Sequence, residues 1–167
     1  KDLVNRLENR TCAQVSNLYG PTEAAIDVSY WIIEGREERP VAPIGRPIAN
    51  TQMYVLSNKL EPAPVGVIGE IYLSGAGLAR GYCGSPELTG EKFIPNRFSG
   101  ARCERLYRTG DVGRYLSDGN IEFIGRADNQ VKLRGYRIEL GEIEAIVREH
   151  ATVKDAAVIV RGDEDSG

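Results

Sequence analysis

Two short runs carry most of the information in this chain: Asn-Leu-Tyr-Gly-Pro-Thr-Glu at residues 17–23 and Leu-Tyr-Arg-Thr-Gly-Asp at residues 106–111. Each sets an aromatic ring, a glycine-bearing bend, a threonine hydroxyl and a carboxylate within a few residues. A purine can stack on the ring, and phosphates or their metal can meet the hydroxyl and the carboxylate. A ribose diol suits an aspartate, which only accepts hydrogen bonds. Either run alone could be an ordinary turn, but together they predict a nucleotide site.

The composition of the 167 residues is that of a soluble globular protein. Hydrophobic residues make up 41% and charged residues 27% of the chain, and the net charge is -3 with both signs interspersed. This charge pattern indicates neither nucleic acid nor an anionic membrane as a partner. No apolar run approaches the length of a membrane span, and the charged first residues are not a signal peptide.

The spacing of the cysteines and the single histidine argue against a disulfide framework, a zinc site and a Ser-His-Asp or Cys-His catalyst. Cys12, Cys83 and Cys103 are far apart and lack CxxC spacing. This favours reduced thiols in the cytoplasm over a disulfide framework or a zinc site. With His150 as the only histidine, a Ser-His-Asp or Cys-His catalyst is not expected.

Much of the chain consists of short β-prone segments separated by turn residues. The predicted strands are residues 26–33, 52–56, 68–73, 106–107, 112–116, 121–124 and 131–133. Between two of them, Asp118 and Gly119 predict a hairpin, because glycine tolerates positive φ. Glu70 and Arg80 could form a structural ion pair.

Helices are predicted at the start of the chain, near residue 85 and in the last part of the chain. Residues 1–8 and 140–150 repeat apolar side chains at helical spacing, and a serine followed by proline at residues 85–86 is typical of a helix start. Residues 156–160 predict a buried strand. The composition changes near residues 125–128, where we place a domain boundary.

Four motifs that occur in a fixed order indicate a family; they are residues 17–23, 69–82, 107–111 and 125–139. They resemble the central and late core motifs of adenylation domains of non-ribosomal peptide synthetases. Those domains belong to the adenylate-forming superfamily, together with acyl-CoA synthetases and luciferases. The Gly-Pro-Thr-Glu run is more typical of members that activate amino acids than of those that activate fatty acids.

The resemblance implies an α+β fold in two parts. Residues 1–127 would be the distorted β-barrel and mixed-sheet portion of a large N-terminal part. Residues 128–167 would begin a small, mobile α+β lid. The family's phosphate loop would lie upstream and its near-C-terminal lysine downstream, so we expect this chain to be an internal fragment of a larger enzyme.

The resemblance also implies a nucleotide site, whose members would be Asn17, Tyr19, Gly20, Thr22, Asp111 and Arg126. Tyr19 matches the ring that stacks on adenine, and Asp111 matches the aspartate that binds both ribose hydroxyls. Arg126 matches an arginine near the ribose and phosphate. The alternatives are a packed loop tyrosine, a plain Gly-Asp turn and a surface charge at the end of a strand.

Thr22 and Glu23 are the implied catalytic pair. They match the hydroxyl that binds the α-phosphate and the carboxylate that reaches Mg²⁺. A single glutamate is sufficient, because Mg²⁺ is usually held by one or two carboxylates plus substrate phosphates. The alternative is that the two residues cap the start of a helix.

Residues after position 127 match the mobile part of the family. Asp128 matches the hinge between the large part and the lid, where a few residues absorb the backbone change. Lys132, Arg134 and Gly135 match the loop that approaches the pantetheine thiol in the thioester step. The alternative for this loop is a solvated basic hairpin.

Three positions match part of the family's amino-acid pocket: Leu18, Ile26 and Asp27. The triplet is similar to those of serine-activating domains. Asp27 could accept a hydrogen bond from a substrate hydroxyl, and a site built around such a bond penalises analogues that lack it. A diamino acid would suit the carboxylate equally well.

The resemblance therefore implies an enzyme that activates an amino acid, with L-serine favoured, as aminoacyl-AMP by means of ATP and Mg²⁺. It would pass the acyl group to phosphopantetheine on a peptidyl carrier domain, with a condensation domain as a further partner. Two alternatives stay open: a catalytically inactive fragment that at most binds a nucleotide, and an acyl-CoA ligase.

Overall fold

The computed structural model describes residues 14–33, 39, 41–100, 104–128, 130–133 and 136–160. The chain divides into two compact units, Lys1–Gly125 and Arg126–Gly167. The helix predicted at residues 1–8 lies outside the described residues. The assignment of residues 128–167 to a mobile lid stays a prediction.

A small antiparallel sheet begins the described part of the first unit. Its order is β1 (Val15–Tyr19), β2 (Ser29–Ile33) and β3 (Arg46–Pro47). A 3-10 turn, Thr22–Ala24, follows β1 after Gly20 and Pro21. The strand predicted at residues 26–33 starts only at Ser29. Ala25 and Ile26 have positive φ, which is a left-handed and not an extended backbone conformation.

A larger sheet forms the main layer of the first unit. It contains β4 (Thr51–Leu56), β5 (Gly69–Gly75), β7 (Arg105–Tyr115) and β6 (Phe93–Pro95) in that order, and β8 (Ile121–Arg126) pairs with β7. Helix α1 (Pro86–Lys92) follows the predicted Ser85 and precedes β6. The predicted strands at residues 52–56, 68–73 and 121–124 are confirmed within one or two residues.

The predicted hairpin is confirmed between β7 and β8. The backbone N–H of Leu116 donates to the carbonyl of Asn120 at 2.8 Å, and Gly119 has φ 81°. Residues 106–107 and 112–116 are predicted as separate strands, whereas residues 106–107 and 112–115 lie in the single strand β7, and Leu116 lies just after it. The intervening Thr-Gly-Asp run therefore lies within a strand.

The core of the first unit packs against the larger sheet. It includes Val28, Ile44, Met53, Val55, Ile71, Leu73, Phe93, Tyr107 and Ile121. On β5, Ile71 and Leu73 point into this core, while Tyr72 packs into a second cluster with Leu56 and Leu106. Successive side chains of a strand point to opposite faces, so both faces of β5 are covered. Each fully buried aliphatic side chain contributes about 1.5–3 kcal/mol.

The ion-pair partner of Glu70 is Arg108, not Arg80. The guanidinium Nε of Arg108 lies 3.0 Å from Glu70 Oε1. The expectation of a pair with Arg80 was wrong, because β7 lies beside β5 and brings a cation 38 positions away into contact.

The second unit contains an antiparallel hairpin and a helix. The strands are β9 (Gln130–Leu133) and β10 (Tyr136–Glu139), and α2 (Leu140–Arg148) confirms the predicted helix. Neither helix in the described ranges is long and apolar enough to cross a membrane.

The buried strand predicted at residues 156–160 is wrong. These residues form no regular secondary structure, and Ile159 is 80% exposed. A strand persists only where a neighbouring strand satisfies its backbone groups. Within the described part of this unit, β9 and β10 pair with each other. The N–H of Val158 donates to the carboxylate of Glu144 at 2.9 Å instead.

Candidate functional site

The loop after β1 is folded tightly around Gly20. A Cβ atom placed on this glycine would lie 2.1 Å from the carbonyl oxygen of Ile26, which is closer than any real contact. Ala25 and Ile26 follow with φ of 60° and 77°, conformations that L side chains rarely adopt. The N–H of Val28 then donates to the carbonyl of Tyr19 at 2.8 Å and closes the loop. The backbone here therefore permits only glycine at position 20.

A bulge in β7 shapes the second run. One residue of β5, Ile71, faces three residues of β7, namely Thr109, Gly110 and Asp111. Gly110 has φ 75°, and the Thr109 hydroxyl donates to the carbonyl of Ile71 at 2.6 Å. The N–H of Asp111 donates to the Thr109 hydroxyl at 2.9 Å. A bulge re-aims the side chain that follows it, and here that side chain is the largely buried Asp111.

The two runs meet through Tyr19 and Asp111. The hydroxyl of Tyr19 donates to Asp111 Oδ2 at 2.5 Å, across 92 positions of sequence. The Tyr19 ring is half-buried against the core, 6.5 Å from the ring of Phe123. An aromatic ring and a carboxylate that accepts hydrogen bonds therefore lie side by side.

Glu23 lies on the 3-10 turn that follows β1, and this residue is 8% exposed. Its Oε1 accepts a hydrogen bond from the Tyr82 hydroxyl at 2.8 Å. The neighbouring Thr22 is exposed. The N-cap of the turn is Pro21, so the alternative in which Thr22 and Glu23 cap a helix does not hold.

Tyr107 lies behind Tyr82. Their hydroxyl oxygens are 3.5 Å apart. Burial raises the pKa of Tyr107 far above its usual value, and the hydrogen bond with Tyr82 and the charge of Glu23 raise this pKa further. Tyr107 is therefore a neutral phenol throughout the physiological pH range.

The structure is compatible with Mg²⁺ at Glu23, provided that the ligand supplies most of the oxygens. Among the described residues, no group of three or more His, Cys, Asp or Glu side chains could hold a metal. Mg²⁺ commonly takes one or two carboxylates together with nucleotide phosphates. Glu23 would supply one such carboxylate, and the exposed Thr22 precedes it on the same turn.

The other site residues predicted in the first unit either bond to a neighbouring loop or are exposed to solvent. The Asn17 amide donates to the carbonyl of Pro43 at 2.7 Å and so braces a neighbouring loop. Leu18, Ile26 and Asp27 are all exposed, with 56% of Leu18 and 67% of Ile26 accessible. Their assignment to an amino-acid pocket stays a prediction.

In the second unit, Arg126 and Asp128 form a two-point ion pair. Arg126 Nε lies 2.6 Å from Asp128 Oδ1, and its Nη2 lies 2.7 Å from Oδ2. A guanidinium fork matches a carboxylate in this way. Lys132 belongs to β9, but its side chain lies outside what the structure describes, as do Arg134 and Gly135.

The chain has recognisable relatives. A family model described as AMP-binding enzyme matches residues 1–83. The dimodular nonribosomal peptide synthase of Bacillus subtilis (strain 168) is 50% identical over 163 residues. These residues make up 97% of this chain and 7% of that protein. The chain belongs to the adenylation domains of non-ribosomal peptide synthetases.

Solved adenylation domains share its fold. The adenylation domain AlmE of Vibrio cholerae, in complex with glycyl-adenosine-5'-phosphate, matches with a TM-score of 0.84 at 33% identity over 99% of this chain. An artificially fused adenylation-PCP di-domain from Klebsiella oxytoca matches with a TM-score of 0.80 at 32% identity over 97% of this chain. The chain spans 31% and 30% of those two chains. The predicted fold class is therefore confirmed.

Two tyrosines beside Glu23, namely Tyr82 and Tyr107, are not among the residues predicted from the sequence. Tyr82 and Tyr107 each end a motif or lie in one, yet neither is predicted as a partner of Glu23. The glycines of residues 69–82 indicate strand packing and turns alone. The run ends in a tyrosine that directly follows a glycine, and this pattern does not reveal a partner 59 positions away.

Proposed function

We propose that this chain is part of an adenylation domain that activates an amino acid with ATP to aminoacyl-AMP. The acyl group would then pass to the phosphopantetheine thiol of a carrier domain as a thioester. The main support is the contact between the Tyr19 hydroxyl and the Asp111 carboxylate, which joins two motifs 92 positions apart.

The chemistry of a nucleoside fits that contact. The face of the Tyr19 ring would stack on adenine, and Asp111 would accept hydrogen bonds from the ribose hydroxyls. A carboxylate that only accepts is suited to a diol that can donate twice. The bulge at Thr109–Gly110 would hold Asp111 in place before the nucleotide arrives, which lowers the ordering cost of binding.

Thr22 and Glu23 would act at the reacting phosphate. A carboxylate oxygen of the amino acid attacks the α-phosphorus, the bond to pyrophosphate breaks, and pyrophosphate leaves. The Thr22 hydroxyl would donate to an α-phosphate oxygen, and Glu23 would hold the nucleotide-bound Mg²⁺. When bound, Mg²⁺ supplies neutralisation of the charge that develops on the phosphates.

The substrate we propose is L-serine. Asp27 would accept a hydrogen bond from its hydroxyl, with Leu18 and Ile26 as apolar neighbours in the pocket. Removal of the carboxylate would then abolish the preference for serine over alanine, because alanine would no longer leave a hydrogen-bond acceptor of the pocket unpaired.

The second unit would serve the thioester step. Asp128 would be the hinge, Arg126 would approach the ribose and phosphate, and Lys132, Arg134 and Gly135 would line the path of the pantetheine thiol. Support comes from the similarity to a solved adenylation-PCP di-domain.

Amino-acid-dependent exchange of pyrophosphate into ATP by the full-length protein tests the proposal. We expect exchange with serine and an at least hundredfold loss in Asp111→Asn, because two charge-assisted hydrogen bonds worth about 1.5–3 kcal/mol each would weaken. Asp118→Asn, an exposed aspartate in the β7–β8 turn, is the matched control and should retain activity. Asp27→Ala should exchange with alanine as well as with serine.

Three results would contradict parts of this proposal. Exchange driven by a fatty acid instead of an amino acid would indicate an acyl-CoA ligase. Full activity of Asp111→Asn would remove the proposed nucleotide site. Robust exchange by these 167 residues alone would show that they form a working catalytic domain and not a part of one.

A further inference from the structure

The segment that follows β5 is attached to Glu23 at two points. The N–H of Ala79 donates to the Glu23 carbonyl at 2.8 Å, and the Tyr82 hydroxyl donates to its carboxylate at 2.8 Å. One bond fixes the backbone of Glu23, and the other fixes the direction of its side chain. Two attachments from one segment constrain a glutamate far more than either would alone.

Tyr82 is itself held in place by helix α1. Its N–H donates to the Thr89 hydroxyl at 2.9 Å, and that hydroxyl donates to the carbonyl of Ser85 at 2.9 Å. Gly81 has φ 147°, and a Cβ atom there would lie 2.4 Å from the Thr89 methyl group. The helix therefore approaches so closely that only glycine fits before Tyr82.

The ring of Tyr82 is fixed as firmly as its backbone. It packs edge-on against the buried Phe93, with ring centroids 5.8 Å apart. The hydroxyl of Tyr107 lies 3.5 Å from that of Tyr82, on the strand that also carries Asp111. The hydroxyl that reaches Glu23 thus belongs to a side chain with little freedom to turn away.

From this geometry we infer that Tyr82 is a positioning residue, which orients the Glu23 carboxylate for a nucleotide-bound Mg²⁺. The inference rests on the proposed function, because it assumes that Glu23 meets the metal. Carboxylates that ligate metals are in turn hydrogen-bonded, and loss of such a partner typically lowers metal affinity 10–100-fold. Tyr82 has no part in the nucleotide contacts proposed above, so its effect is confined to the metal-dependent share of binding.

The experiment is calorimetric titration of the full-length protein with ATP, once with Mg²⁺ and once with a chelator. In the wild type, Mg²⁺ should tighten ATP binding, and Glu23→Gln should abolish most of that gain. Tyr82→Phe, which removes only the hydroxyl, should weaken binding of Mg-ATP by about 10–100-fold and leave binding of metal-free ATP unchanged.

Tyr115→Phe is the matched control. The Tyr115 hydroxyl donates to the carbonyl of Met53 at 2.9 Å, so this variant also loses one phenol hydrogen bond in the same unit. Melting temperatures should fall by a similar amount in both variants, while only Tyr82→Phe should lose the Mg²⁺-dependent gain. A purely structural role of Tyr82 would lower stability without that loss.

The outcomes separate the inference from the proposed function. If Glu23→Gln loses the gain and Tyr82→Phe keeps it, the inference is wrong and the function stands. Equal weakening of metal-free ATP and Mg-ATP in Tyr82→Phe would also overturn it, since the tyrosine would then shape the pocket as a whole. A wild type with no Mg²⁺-dependent binding would refute the proposed function and the inference together.

Discussion

Side chains at the bulge of β7 in the first unit are buried, whereas none of the side chains of α2 in the second unit is. Asp111 and Glu23 are each 8% exposed and sit among packed elements. By contrast, none of the residues of α2 is buried, and Ile146 is 68% exposed. Asp111 and Glu23, which are proposed to meet the nucleotide and its metal, thus lie on or beside packed strands, while the helix of the unit proposed to move has no buried residue. Segments that move in a conformational change are generally those of low local stability.

A pair of truncations should give the largest contrast between the regions. Leu73→Ala removes a fully buried side chain and should lower the free energy of unfolding by about 2–5 kcal/mol. Ile146→Ala changes an exposed side chain and should cost about 0.5 kcal/mol or less. Urea unfolding of the full-length protein measures both. A cost for Ile146→Ala as large as that for Leu73→Ala would mean that the face of α2 is covered in the full-length protein.

An alkaline titration should show the burial of the first unit directly. Burial raises the pKa of Tyr72 to about 12, the charge of Glu70 adds to this, and Arg108 opposes it. In the unfolded chain, tyrosine loses its proton near pH 10. The folded state therefore binds more protons between pH 10 and about 12, and stability falls as pH rises through that window.

Tyr72→Phe provides the comparison for that titration. This variant cannot ionise at position 72, so its urea midpoint should fall less steeply above pH 10 than that of the wild type. Tyr107 and Tyr115, whose pKa values burial also raises, stay in both proteins and contribute to the remaining slope. Equal slopes in the two proteins would show that Tyr72 ionises alike in the folded and unfolded states.

The ion pair of the second unit should contribute little to stability. Asp128→Asn breaks a partly exposed pair with Arg126 and should change the free energy of unfolding by about 0–1 kcal/mol. If Asp128 is the hinge, transfer to the carrier domain should nonetheless slow, while pyrophosphate exchange is retained. Loss of both activities together would place Asp128 in the adenylation step and weaken the contrast between the two units.

Features that depend on neighbouring residues could be predicted from the amino-acid order alone. The β7–β8 hairpin follows from an Asp-Gly pair, because Gly119 supplies a positive φ without steric cost. The start of α1 follows from a serine and a proline, and α2 follows from apolar side chains at helical spacing. The family could also be predicted from the sequence alone, since its four motifs occur in their expected order.

The contacts between distant residues depend instead on how the folded chain packs. The bulge that aims Asp111 exists because β5 and β7 pair with a shift in register, and nothing in Thr-Gly-Asp alone reveals that shift. The bond from Tyr82 to Glu23 depends in the same way on how separate segments pack. Residues 156–160 have a strand-like composition, but they pair with no strand among the described residues and form no strand themselves. Local spacing encodes local backbone geometry, whereas these contacts require segments far apart in the chain to come together.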